Sequence, residues 1–170
     1  MIRLEPLSMN HLDGVMEWVN DPDVSFYFAR GQDPITREEE ARFLRDLVDS
    51  KADLTWSIFD GDEYLGQIGL NKIYWPARTA RLGINLKRSA WGKGIAKEAA
   101  RLCFQKAFLT HNLNKIWIII RVGNGKGLNL WTQVGFRCEG ILREEYYSRG
   151  QFHDMVRMAM LKSDWDTLYG

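Results

Sequence analysis

Two glycines in Trp91-Gly92-Lys93-Gly94-Ile95-Ala96 stand where a strand, Arg78 to Lys87, should turn into a helix, Ile95 to Thr110. Glycine at such a turn lets a ligand approach the backbone closely. The first N–H groups of a helix lack internal partners and point outward, and with the helix dipole they favour a phosphate or pyrophosphate. Lys93 and Lys97 add positive charge nearby. By themselves these residues describe either an anion-binding turn or a tight turn whose glycines only relieve clashes. Two better-known glycine loops fit poorly. A P-loop needs Gly-x-x-x-x-Gly-Lys-Ser/Thr, and no hydroxyl follows Lys93. A dinucleotide fingerprint needs a third glycine, and Lys97 stands there.

The elements that must position this turn fit one domain spanning residues 1–170. The chain is 45% hydrophobic and 26% charged, and no Ser/Gly/Pro-rich linker divides it. Residues 2–5 read as a first strand. Ser8 offers an N-cap to a helix carrying Leu12, Val15, Met16 and Val19, and Asn20-Asp21-Pro22 stops it. Thr36 and Glu39 have capping-box spacing ahead of a second helix. Strands follow at Leu54 to Phe59, Tyr64 to Tyr74 and Arg78 to Lys87, with Asp60-Gly61-Asp62 as a turn. After the helix from Ile95, Lys115 to Val122 reads as a strand covered on both faces. Gly127 to Gln133 forms a short helix. Phe136 to Tyr147 and Phe152 to Leu161 form a terminal hairpin. The order strand, two helices, three strands, helix, strand, helix, two strands defines a mixed α/β sandwich.

A net charge of +1 with scattered Lys and Arg gives no bulk argument for nucleic acid or an anionic membrane surface. No apolar run reaches the roughly 20 residues of a membrane span, and the N-terminus lacks a signal-peptide core, so a cytoplasmic location is expected. Cys103 and Cys138 have no partner at metal-ligand spacing and are expected to be reduced and buried. His11, His111 and His153 show no triad or metal spacing, so no metal is expected.

The glycine segment resembles the pyrophosphate motif of the GNAT acetyltransferases, Gln/Arg-x-x-Gly-x-Gly/Ala, with the Trp-Gly-x-Gly form familiar in its RimJ/RimL-like branch. A second block, Asn124 to Phe136, is similar to that branch's Asn-x-x-Ser-x-x-x-Tyr-x-x-x-Gly-Phe. A third, Glu139 to Arg143 through Gly150 to Asp154, resembles its tail. The resemblance spans the chain. It implies a GNAT-like fold of the α+β kind: a mixed, largely antiparallel seven-stranded sheet with splayed central parallel strands and about four helices. It also implies acetyl-CoA as cosubstrate. Backbone groups of Ile84 and Leu86 would pair with the pantetheine arm like an added strand. The amides of Trp91, Gly92, Lys93, Gly94, Ile95 and Ala96 would hold the pyrophosphate, and Asn124 would hold the pantetheine from the other side. A bland role for Asn124 is a turn residue after a strand.

An alkyl amine must be neutral to attack a thioester, and with a pKa of about 10.4 only roughly one molecule in a thousand is neutral at pH 7. The site must remove or discourage that proton, stabilise an oxyanion through a backbone N–H, and release a thiolate. The chain departs from its relatives at two places. Where many carry Tyr as general acid it has Trp131, whose indole is a poor proton donor; Trp131 either packs against the cofactor or fills the core. Where many carry Glu it has Arg81, either solvated or, with Arg30, facing an anionic part of the substrate. Tyr146 and Tyr147 are substitute acids, with Tyr147 and Glu145 as the catalytic candidates. Asp154 suits a structural hydrogen bond as well as chemistry, and Glu38, Glu39 and Glu40 suit the helix cap and dipole.

The acceptor expected first is a small primary amine such as an amino sugar or amino-sugar nucleotide, with Tyr27, Arg30 and Arg81 in its pocket. A protein N-terminus of the ribosomal type comes second, and a polyamine ranks lower because Arg81 opposes a polycation unless it points away. A non-catalytic acetyl-CoA-binding module is the alternative from another class. A homodimer is compatible with the resemblance.

Overall fold

Seven strands run through the chain: β1 (Ile2–Pro6), β2 (Leu54–Asp60), β3 (Glu63–Tyr74), β4 (Thr79–Leu86), β5 (Lys115–Arg121), β6 (Arg137–Ser148) and β7 (Gln151–Leu161). They form one sheet in the order β1-β2-β3-β4-β5-β7-β6. Every neighbouring pair is antiparallel except β4 with β5. The computed structural model describes residues 1–26 and 33–170. The helices are α1 (Leu12–Met16), α2 (Pro22–Ser25), α3 (Arg37–Asp49), α4 (Ile95–Gln105), α5 (Gly125–Val134) and α6 (Lys162–Tyr169). This is the mixed seven-stranded α/β sheet expected.

The helix tally differs from the expectation because two local signals have a second use. Asp21-Pro22 stops one helical stretch and starts the next: Asp21 Oδ1 accepts the Asp23 N–H at 3.0 Å, and Pro22 occupies the first turn, where no N–H is needed. After β7 the chain turns helical again as Asp164 accepts the Leu161 N–H at 3.1 Å, and Trp165 packs into the core. The capping box at α3 forms as its spacing predicts, with both Thr36–Glu39 bonds present. Glu40 departs from a cap role: it is buried, near enough to Tyr64 of β3 to add to the rise that desolvation gives that phenol's pKa. The helix from Ile95 changes to π geometry over Lys106–Thr110, where the His111 N–H reaches the Lys106 carbonyl.

The two faces of the sheet differ in chemistry. On one face Ile58, Ile68, Leu82, Ile116, Ile118 and Met160 are buried under α4, whose Ala99, Cys103 and Phe104 are fully covered. Burial pushes the Cys103 thiol up to about 12, so it is inert. Cys138 corrects the expectation of a buried thiol: it is exposed, because β6 is an edge strand. β5 was expected to be covered on both faces. Instead its residues alternate between half-buried and buried as far as Ile120, since among the described residues the second face carries α1–α3 with their smaller cluster of Val15, Trp18, Val19 and Val24.

His11 ties the N-terminal helices to that second face. The Ser8 N–H donates to Nδ1 at 3.2 Å, and Ser57 Oγ lies 2.7 Å from the same nitrogen. Nδ1 is therefore the unprotonated nitrogen, and Nε2 faces Glu5 at 3.9 Å. Desolvation lowers the His11 pKa, with Glu5 partly opposing the shift. The unfolded chain then binds the proton more readily than the folded one, so this contribution is full above the ordinary histidine pKa of about 6.5 and fades as pH falls through it. Melting temperature should drop between pH 7.5 and pH 5.5, and His11→Asn should shrink that drop. An identical drop in the variant would remove His11 as its source.

Candidate functional site

The parallel pair opens beside the glycine turn. Ladder pairs join only Thr79, Ala80 and Arg81 of β4 to Lys115, Ile116 and Trp117 of β5, although both strands continue. On its other edge β4 stays paired with β3 as far as Leu86. The Lys87 N–H donates to the Leu65 carbonyl on that edge at 2.9 Å. Antiparallel alternation then turns the backbone groups of Leu86 and Ile84 the other way, toward the opening. Unpaired backbone groups facing a gap between strands are what an extended amide-bearing ligand can bind.

The turn itself fits an anion. Gly92 and Gly94 have φ of +71° and +76°, and a Cβ at either would meet nothing within 4 Å among the described residues. Packing therefore does not explain these glycines; the left-handed backbone and the open space above it do. Gly94 is the N-cap of α4, whose first N–H groups are offered outward, with Lys93 and Lys97 exposed alongside. These are the features that a diphosphate requires.

Trp91 contributes more than an amide. Its indole N–H donates to the Leu86 carbonyl at 3.0 Å while the residue remains 45% exposed. The Leu86 carbonyl thus spends one lone pair on the indole, while the Leu86 N–H and the backbone of Ile84 stay on the open edge. The same bond pins the turn to the end of β4. Trp91→Phe, which keeps the ring and loses the N–H, should weaken coenzyme A binding about three- to tenfold, the worth of one neutral hydrogen bond. Calorimetry would measure it, and unchanged affinity would leave Trp91 as a surface ring.

On the far side of the opening Asn124 Oδ1 accepts the Gly127 N–H at 3.0 Å as the N-cap of α5. The bland role is therefore present, and Nδ2 makes no hydrogen bond among the described residues. Trp131 is 3% exposed and packs edge-on against Phe136 at 5.4 Å. Of its two readings, core filling is the one this burial matches.

The face opposite α4 carries the remaining candidates. Gly69 of β3 lies across from Gly83 of β4, with Asn71 across from Arg81 and Gln67 across from Asn85. A Cβ at Gly83 would meet only Asn71 Nδ2, at 3.7 Å. Among the described residues the sheet is therefore bare at the mouth of the opening, walled by amides and one guanidinium. Glycine inside a strand signals close backbone approach, and that signal was available in the Leu82-Gly83-Ile84 run. Arg81 is half-buried and reaches Tyr146, whose hydroxyl accepts from Nη2 at 2.5 Å.

Tyr147 and Glu145 do not join this arrangement. Tyr147 is exposed and packs on Phe152 at 5.0 Å, on the other side of the hairpin from Tyr146. Glu145 is exposed in the irregular stretch between Leu142 and Tyr146. Asp154 has the structural role: its Oδ1 accepts the Glu144 N–H at 2.7 Å, holding that stretch where Glu144 has φ of +50°. Tyr27 and Arg30 lie outside the described residues.

Parallel strands that part beside a glycine turn at a helix N-terminus offer a cleft for an extended amide-bearing arm and, next to it, a place for a diphosphate. The chain belongs to the acetyltransferase (GNAT) domain family, whose model matches residues 2–137, and acetyl-CoA is the cosubstrate of that family. It is 28% identical to the uncharacterized N-acetyltransferase p20 of Bacillus licheniformis, over 96% of this chain and 94% of that protein. It is 26% identical to spermidine N(1)-acetyltransferase of Escherichia coli K12, over 96% and 88%. Its fold matches spermidine N-acetyltransferase from Vibrio cholerae, solved with CoA and spermine, with a TM-score of 0.88, covering 96% and 97% of the two chains at 24% identity.

Proposed function

We propose that the chain acetylates the primary amine of a small metabolite. The observation that carries this reading is the gap between β4 and β5 beside the Gly92–Gly94 turn, with Gly83 leaving the opposite face bare at its mouth. Acetyl-CoA supplies an activated acyl group. The turn amides and Ile84 orient it, and the bare face admits the amine from the side opposite α4. The Arg81 guanidinium on the same face as Gly83 disfavours the ammonium form by like-charge repulsion, which raises the fraction of neutral amine. A backbone N–H at the open edge of β4 is the donor available to the developing oxyanion. Trp131 supplies no proton, and a thiol of pKa about 8.5 leaves acceptably as thiolate.

Within the family, Trp91-Gly92-Lys93-Gly94 and the Asn124 to Phe136 spacing support the RimJ/RimL-like branch. Relatives that act on spermidine support a small amine over a protein N-terminus. An amino sugar or amino-sugar nucleotide falls within the same class. Thiol release from acetyl-CoA with glucosamine, spermidine, butylamine and a ribosomal N-terminal peptide tests the reading. Turnover with a free amine supports it, turnover of the peptide alone replaces it with the N-terminal reading, and tight acetyl-CoA binding with no turnover leaves a binding module.

A further inference from the structure

We infer that Arg81 and Tyr146 together form a subsite for an anionic group, a carboxylate or a phosphate, carried by the acceptor amine. This deepens the small-amine reading above and rests on it.

Arg81 is not a solvated strand arginine. Ala80 and Leu82, its neighbours, are buried beneath α4, which sends Arg81 to the opposite face. There its guanidinium carbon stands 5.9 Å from the Trp117 ring and 5.9 Å from the Tyr146 ring, and the side chain is half-buried. Among the described residues no carboxylate is within ion-pair distance of it. The acid of this region, Glu139, is shared by Lys115 at 2.7 Å and Arg157 at 3.5 Å. Arg157 itself lies 4.1 Å from the Trp117 ring, so two guanidinium groups attend one indole with one carboxylate between them and Lys115. A half-buried cation without a counterion is costly, and an arriving anion relieves that cost.

Tyr146 makes the cation a shaped site. Its oxygen accepts from Arg81, so its own hydrogen must point elsewhere. The phenol O–H and the remaining guanidinium N–H groups are then adjacent donors, the pattern that a carboxylate or phosphate accepts with two oxygens. Position completes the argument. Arg81 pairs with Trp117 on the last rung before the strands part, and Gly83 is the next residue on the same face, about 7 Å along the strand. An amine over Gly83 can reach the gap while an anion a few bonds away rests on Arg81 and Tyr146. A polycation would place its second charge against the same guanidinium.

The test compares kcat/KM for 4-aminobutyrate, 3-aminopropyl phosphate, butylamine and spermidine, with wild type and with Arg81→Gln, Arg81→Glu and Tyr146→Phe. At least one anionic amine should exceed butylamine about tenfold or more, and which one is faster identifies the anion. Arg81→Gln should cut the anionic amines about ten- to hundredfold and butylamine less than twofold. Tyr146→Phe should cut them several-fold with the same selectivity, and Arg81→Glu should shift preference toward spermidine. If butylamine or spermidine is preferred by the wild type, or Arg81→Gln lowers all amines equally, the subsite is wrong and the small-amine reading stands. If no amine turns over while acetyl-CoA binds, both fall.

Discussion

Gly94→Trp should fold and yet lose coenzyme A affinity by at least about a hundredfold. At φ of +76° a residue with a Cβ is strained by about 1–2 kcal/mol, which a domain of this size can absorb. A Cβ there meets nothing within 4 Å, so an indole can be housed without displacing any described residue. The space that it fills is the space into which the first N–H groups of α4 point. The variant thus separates folding from binding: melting temperature falls by a few degrees while titration with coenzyme A shows the large change. A folded variant that binds coenzyme A as the wild type does would refute the placement of the pyrophosphate.

The second large effect is on stability, at Gly66. Its φ is +156°, and a Cβ would stand 2.0 Å from the Asn85 carbonyl oxygen and 2.9 Å from Leu86 Cα. Those atoms are the backbone of β4 where it borders the gap, and they cannot yield as a side-chain tip could. Gly66→Val should cost about 3–5 kcal/mol, the range of severe backbone and packing lesions. Urea denaturation would read this as a lower midpoint at an unchanged slope. Gly92→Ala is the contrast: nothing crowds its Cβ, and only the left-handed backbone is penalised. Equal midpoints for the two variants would mean that β3 and β4 approach less closely at Gly66 than they do here. Because Gly66 pairs with Leu86, whose carbonyl Trp91 holds, Gly66→Ala, which adds the same Cβ, should also loosen the turn and weaken coenzyme A binding.

Trp131 and Arg81 show how far residue identity carries. Both are departures from a familiar pattern, and each allowed two readings. The first is an indole only 3% exposed, the burial that core filling requires. The second is a half-buried guanidinium beside the Trp117 and Tyr146 rings, with no carboxylate at ion-pair distance among the described residues. The tyrosines follow the same logic. Adjacent residues on a strand face opposite ways, so at most one of Tyr146 and Tyr147 could approach Arg81. Which one depends on the irregular stretch between Leu142 and Tyr146, held by Asp154, that resets the register of β6.

By itself the sequence determined the seven strands, four of the helices, the glycine turn and the family, because periodicity, caps and glycine spacing act over a few residues and survive as local signals. Only the tertiary structure decided where β4 and β5 part, that Trp91 donates to the Leu86 carbonyl, that Gly83 lies bare among the described residues, and that Arg81 meets Tyr146 from a strand 65 positions away. Those facts depend on register and on which face each strand shows. A one-residue slip reverses the face of every side chain, and nothing in a local run of residues sets the register between strands so distant in the chain.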